Sequence, residues 1–151
     1  MAHHDGFRVI ALASPEDEEL TRSLGADEFV SRGADAMARI RALTDGGADG
    51  VIDAANLHAD VVEAVRDGGR IVVVSRWSHE DLERGVTSVH VDVRRRARDR
   101  RAILALRDLA AAGVLPMSVA GTFPASQVVV AHRRFDQGAL RGRLVLLFAD
   151  D

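Results

Sequence analysis

Residues 47–75 read GADGVIDAANLHADVVEAVRDGGRIVVVS, and their pattern decides the fold class. Two apolar runs, residues 50–55 (GVIDAA) and 70–75 (RIVVVS), flank a helical stretch from about His58 to Val65 and a turn at Asp67-Gly68-Gly69. The second run is almost entirely β-branched, as expected of a strand covered on both faces. A strand, a short helix and a second strand make the repeating unit of a parallel sheet.

The same alternation extends outward in both directions. Upstream, residues 7–13 (FRVIALA) predict a buried strand, and Ser14-Pro15 predict the start of a helix. Ser14 suits the N-cap, Pro15 the first helical position, and Glu16, Asp17 and Glu18 the positive end of the helix dipole. That helix runs to about Leu24 and stops at Gly25. Phe29 and Val30 form a brief strand, and residues 35–43 a helix with Met37, Ile40 and Leu43 on its inner face. Downstream, residues 86–93 (VTSVHVDV) alternate as a half-exposed strand does. Residues 94–112 predict the longest helix, with Ile103, Leu104, Leu106 and Leu109 toward the core. An extended stretch at 115–120, a helix from Pro124 to about Asp136 and a last strand at 142–148 complete the chain. The expected fold class is α/β, a mostly parallel sheet flanked by helices, and 151 residues predict a single domain.

Composition narrows the chemistry. Apolar residues make up 47% and charged residues 28%, as in soluble globular domains. No apolar run approaches the ~20 residues of a membrane span. The N-terminus lacks a signal pattern, so no membrane partner and a cytoplasmic location are expected. A net charge of -3 argues against a nucleic-acid partner. All 20 basic residues are arginine, and cysteine and tyrosine are absent. Proton transfer is left to six histidines and the carboxylates. The histidines show no metal-ligand spacing, so no metal is expected.

The motifs, taken in order, resemble the C-terminal half of medium-chain dehydrogenases/reductases, in particular the zinc-free quinone oxidoreductase and enoyl reductase branch. GFRVIALAS followed by LTRSLGADEFV resembles that family's second strand, second helix and "SLGAD" turn. GADGVIDAA resembles its "GVDVVLDPVG" strand, and VRDGGRIVVVS its "L-x-x-G-G-R-x-V-x-x-G" segment. TFPASQVVVAH through GRLVLLF resembles its C-terminal signature, where "TFPL" leads to an "AH" pair and a "GK-[IV]-V-L" strand. The resemblance covers about residues 5 to 148. It implies a truncated Rossmann-like sheet, a single partial dinucleotide-binding-like domain over residues 1–151, from an NADPH-dependent reductase fold that here lacks its first strand and glycine-rich phosphate loop. Strand one is central in a doubly wound sheet, so its loss leaves open edges in the middle. The remaining strands must close the gap, borrow a strand or pair with another chain.

Ligands in such sheets gather at the carboxyl ends of the strands. The candidates there are Ser14, Ser31 with Arg32, Asp53 with Asn56, and Ser75 with Arg76 and Trp77. The resemblance puts Ser14 where the 2′-phosphate of NADPH is met, but the acids at 16–18 would repel a phosphate. Asp53 either lines the cofactor cleft or bonds local backbone amides as a turn former. The resemblance puts Ser75 where the family often has a glycine beside the nicotinamide. His90, with Asp92 on the same strand face, is the acid/base candidate beside Asp53. The arginines at 94, 95, 96, 98, 100 and 101 form a basic patch, expected as a solvated helix face.

Three functions follow as expectations. The first is an oxidoreductase-family domain that binds no cofactor alone and works with a complementing chain supplying the loop, and with it NADPH. The second is a repurposed cofactor-independent isomerase or cyclase that holds an apolar small molecule in the former cofactor cleft. The third is a non-catalytic binding module. Open sheet edges predict a homo-oligomer, at least a dimer, or a complementing partner.

Overall fold

The computed structural model describes residues 1–74 and 82–148 and divides the chain into two compact units, Met1–Arg100 and Arg101–Asp151. In the first unit, β1 (Ile10–Ala13) pairs in parallel with β2 (Glu28–Ser31). A separate sheet holds β3 (Ala48–Asp53), β4 (Val65–Val73) and β5 (Thr87–His90), also all parallel, in that order. Among the described residues no strand bridges β1 and β3. The unit is therefore α/β with all-parallel strands, and its strands fall into two separate sheets.

Between β1 and β2 the chain makes a 3₁₀ turn (Pro15–Asp17) and α1 (Glu18–Ser23). α2 (Ala36–Leu43) follows β2 and buries Ala36 and Ile40. These pack with Val30 and Ala64, with Ile10 and Leu12 of β1 at the margin. A second cluster holds Val61, Val65, Ile71, Val73 and Val86. Met37 of α2 packs against both clusters, so one helix serves both half-sheets.

Three expectations are corrected. The stretch from His58 is a 3₁₀ helix (His58–Ala64) that leads directly into β4 at Val65. Asp67-Gly68-Gly69 is no free turn but a bulge within β4, where the register with β3 jumps from Ala48↔Val65 to Gly50↔Arg70. A Cβ on Gly69 would stand 2.5 Å from Val65 Cγ1, which explains the bare backbone there. Finally, the long arginine-led helix is two helices, α3 (Val93–Arg96) and α4 (Arg100–Ala111). Asp92 caps α3 through the Arg94 amide, and the Asp99 amide closes a tight turn on the Arg96 carbonyl. Like charges three and four residues apart disfavour one continuous helix here.

In the second unit, β6 (Val119–Pro124) pairs in parallel with β7 (Arg143–Leu147), and α5 (Val128–Asp136) lies between them in sequence. None of the expected core residues of α4 is fully buried: Ile103 and Leu106 are nearly half exposed.

Candidate functional site

The candidates fall into three groups at the carboxyl ends of strands in the first unit. Ser14 and Ser31 end neighbouring strands, with Ala13 in register with Ser31. Ser14 takes the N-cap position of the 3₁₀ turn, with Pro15 first, but its hydroxyl makes no capping bond. Its carbonyl accepts from the Asp17 amide at 2.9 Å instead. Glu16 and Asp17 crowd that first turn with negative charge. The Ser31 hydroxyl and carbonyl both accept from the Arg39 guanidinium, and the Arg32 amide bonds to the Ala13 carbonyl at 2.9 Å. Both serines thus lie among local backbone and Arg39 contacts.

The second group is built on Asp53, which ends β3 and is only 2% exposed. Its Oδ1 accepts from the amides of Ala55 at 3.0 Å and Leu57 at 3.1 Å, and Oδ2 from the amide of His58 at 2.8 Å. To aim three amides at one carboxylate the loop turns sharply, and both Asn56 (φ 59) and His58 (φ 55) take left-handed backbone. Burial pushes the Asp53 carboxyl up, but the His58, Leu57 and Ala55 amides together outweigh it and hold the group below the usual carboxylate range. This is the geometry of a loop-forming acid. Sequence reading missed one neighbour: His58 Nδ1 lies 3.7 Å from Asp53 Oδ2. The signal was the spacing Asp-x-x-x-x-His at a strand end, which becomes a contact only once the loop folds back on the carboxylate.

The third group rims a concavity of about 240 Å³ at the ends of β4 and β5, lined by Val74, His90, Val91, Asp92, Val93 and Arg94. His90 closes β5, whereas Asp92 lies beyond the strand as the cap of α3. The expectation that they share a strand face is therefore corrected. The Asp92 carboxylate accepts from the Arg94 amide at 3.1 Å and lies 3.7 Å from Arg95, so it belongs to the arginine segment rather than to His90. Ser75, Arg76 and Trp77 lie outside the described residues.

Two fit tests follow from this geometry. No group of three His, Cys, Asp or Glu side chains that could hold a metal occurs among the described residues. A pyrophosphate needs converging backbone amides or a helix N-terminus. At the end of β3 the converging amides are occupied by the chain's own Asp53, and at the end of β1 the first turn is acidic. Neither place fits a dinucleotide's phosphates.

Comparisons with known proteins agree with the fold. The family model for zinc-binding dehydrogenase matches residues 1–106. A probable oxidoreductase from Mycobacterium abscessus is 27% identical with a TM-score of 0.77, over 97% of this chain and 48% of that one. An NAD-dependent alcohol dehydrogenase is 26% identical with a TM-score of 0.76, over 98% of this chain and 46% of that one. The CurF ER cyclopropanase from the curacin A biosynthetic pathway shares the fold at 24% identity and a TM-score of 0.75, over 98% of this chain and 49% of that one. The chain spans about half the length of these structures. No curated protein matches it.

Proposed function

The chain belongs to the zinc-binding dehydrogenase family, among the medium-chain dehydrogenases/reductases, and we propose that it is one part of a two-part oxidoreductase. It transfers no hydride alone and acts with a complementing chain that supplies the phosphate-binding loop and the substrate domain. One observation carries this reading. The family match runs through both half-sheets of the first unit, yet the sheet is broken between β1 and β3.

The residues explain the dependence. Each charge-assisted hydrogen bond of a pyrophosphate cradle contributes about 1.5–3 kcal/mol. Losing two or three of them turns micromolar binding into negligible binding, at about 1.4 kcal/mol per tenfold. With the Asp53 loop turned in upon its own carboxylate, this chain has no replacement there. The zinc of the family's name has no set of ligands among the described residues either, so no step is assigned to a metal. What the chain offers to an assembled site is positioning: the ends of β1 and β3, with Ser14, Asp53 and Asn56, flank the place where the cofactor of a complete domain would lie.

Calorimetric titration of the purified chain with NADPH tests this. No binding is expected up to millimolar cofactor. Micromolar binding by the chain alone would overturn the two-part reading. Absence of NADPH binding in an assembled complex would instead favour the cofactor-independent enzyme.

A further inference from the structure

A second groove lies at the amino end of β4. It has a volume of about 430 Å³ and is lined by Arg41, Val62, Glu63, Glu83 and Arg84. α2 supplies Arg41, the 3₁₀ helix His58–Ala64 supplies Val62 and Glu63, and a 3₁₀ turn (Glu83–Gly85) supplies Glu83 and Arg84. Asp53 and His90 stand at the carboxyl ends of β3 and β5, which run parallel to β4, so this groove is at the other end of the sheet.

The guanidiniums of Arg41 and Arg84 meet at one carbonyl. Arg41 Nη1 donates to the Glu63 carbonyl at 2.9 Å and to the Val65 carbonyl at 3.3 Å. Arg84 Nη1 donates to the same Val65 carbonyl at 2.8 Å and to Asp67 Oδ1 at 3.1 Å, while its Nη2 donates to the Val62 carbonyl. The last carbonyls of a helical segment lack partners within it and attract cations, which draws both side chains here. Arg84 takes left-handed backbone (φ 60, ψ 23), a conformation uncommon for a residue with a side chain and one that clusters at ligand clamps.

Holding these carbonyls occupies only part of Arg41. Its Nε and Nη2 have no partner among the described residues, and they form the edge of the guanidinium that can hold a carboxylate by two parallel bonds. Glu63 and Glu83 are exposed, and neither carboxylate has an ion pair or hydrogen bond among the described residues. Unpaired groups of both signs therefore border one groove, with Val62 as its apolar member. A plain anion would be repelled by the glutamates, and a plain cation by the arginines.

We infer that this groove binds a small zwitterion, a molecule with both a carboxylate and an ammonium. The carboxylate takes the free edge of Arg41 and the ammonium takes the glutamates. The volume falls in the range of small-molecule sites, about 300–1,000 Å³. Such a ligand would tie α2 to the two 3₁₀ segments. The site does not depend on the two-part reading above, since it uses neither the cofactor end of the strands nor a second chain.

Titration of the isotope-labelled chain, followed by amide NMR, tests this. L-leucine and 6-aminohexanoate carry both charges, at short and long separation; hexanoate carries only the carboxylate and hexylamine only the ammonium. At least one zwitterion at millimolar concentration should shift the amides of Arg41, Glu63 and Glu83 and leave those of Asp53 and His90 in place. Hexanoate and hexylamine should bind at least about tenfold more weakly, because each forfeits a charge-assisted contact. Arg41→Lys keeps a cation near the carbonyls but removes the fork. The double variant Glu63→Gln with Glu83→Gln removes charges that hold nothing else in the fold. Each should keep the parent's circular dichroism and lose at least about tenfold in affinity for the zwitterion. If Arg41→Lys unfolds, the glutamate variant decides alone. No shift with either zwitterion would overturn the inference, as would equal binding of hexanoate or hexylamine, or unchanged affinity in the glutamate variant. Shifts centred on Asp53 and His90 would put the ligand elsewhere and overturn it too.

Discussion

The two units differ in where their apolar residues lie. The first buries Val30, Ala36, Ile40, Val61, Ala64, Val65, Ile71, Val73 and Val86, whereas among described residues of the second only Ala131 is buried. The second unit exposes Val119, Val129, Phe135, Leu147 and Phe148 by more than half. Both have parallel strands and an amphipathic helix, so the difference is not one of secondary structure. It lies in how many faces each element has covered. The first unit has enough layers to close two clusters. In the second, one strand pair and its helices leave much apolar surface in water, at a cost of about 25 cal/mol per Å². The family match ends at residue 106, close to the boundary between them.

Truncating the core should separate the units most strongly. Ile71, fully buried, should lose about 2–5 kcal/mol on replacement by alanine. Urea unfolding followed by circular dichroism measures this, and a loss below 1 kcal/mol, roughly the scale of an ordinary substitution, would mean that the first cluster is loosely packed. Backbone crowding gives the next effect. A Cβ at Gly47 (φ +126) would lie 2.5 Å from the Arg66 amide nitrogen, and one at Gly142 (φ +117) 2.5 Å from the Ser118 carbonyl oxygen. Each alanine substitution should cost roughly 1–3 kcal/mol. Hydrogen exchange should rise in β3 and β4 for Gly47→Ala, and in β6 and β7 for Gly142→Ala. Unchanged exchange in the strands named would reject the crowding.

Asp53→Asn should cost about 1–3 kcal/mol, because amides aimed at a carboxylate meet a neutral group that also carries donors. Its pH dependence has a definite sign. The folded state holds the carboxyl below its unfolded value, so the stabilisation is complete above about pH 4 and is lost as pH falls through the folded value. Stability measured from pH 6 down to pH 2 should fall less steeply for Asp53→Asn than for the parent chain; identical slopes would mean that the loop does not depend on ionisation. The smallest effect belongs to the second unit. Phe135 is 63% exposed, and Phe135→Ala should change stability by less than about 0.5 kcal/mol. A larger loss would reveal cover for that side chain in solution.

The sheet was legible in residues such as Ile71 and Val73, because a run of β-branched side chains has few other uses. Asp53 was legible as a strand-end acid for the same reason: charge at the end of an apolar run must find donors. The bulge at Gly68 and Gly69 was not, since the backbone freedom that permits a turn also permits a bulge, and only pairing with β3 decides between them. The division of α3 from α4 escaped because the arginines are good helix formers singly; their mutual repulsion and the Asp99 turn act between residues. His58 escaped because its relation to Asp53 is created by a loop with two left-handed residues, one of them the histidine itself.

Met37 is the side chain common to both clusters of the first unit. A thioether on an unbranched chain of rotatable bonds changes shape at small energetic cost, where a branched side chain would not. The coupling between the half-sheets is accordingly compliant. The clusters on either side are built of branched or small side chains, so the adaptable contact in the first unit is confined to the place where they meet.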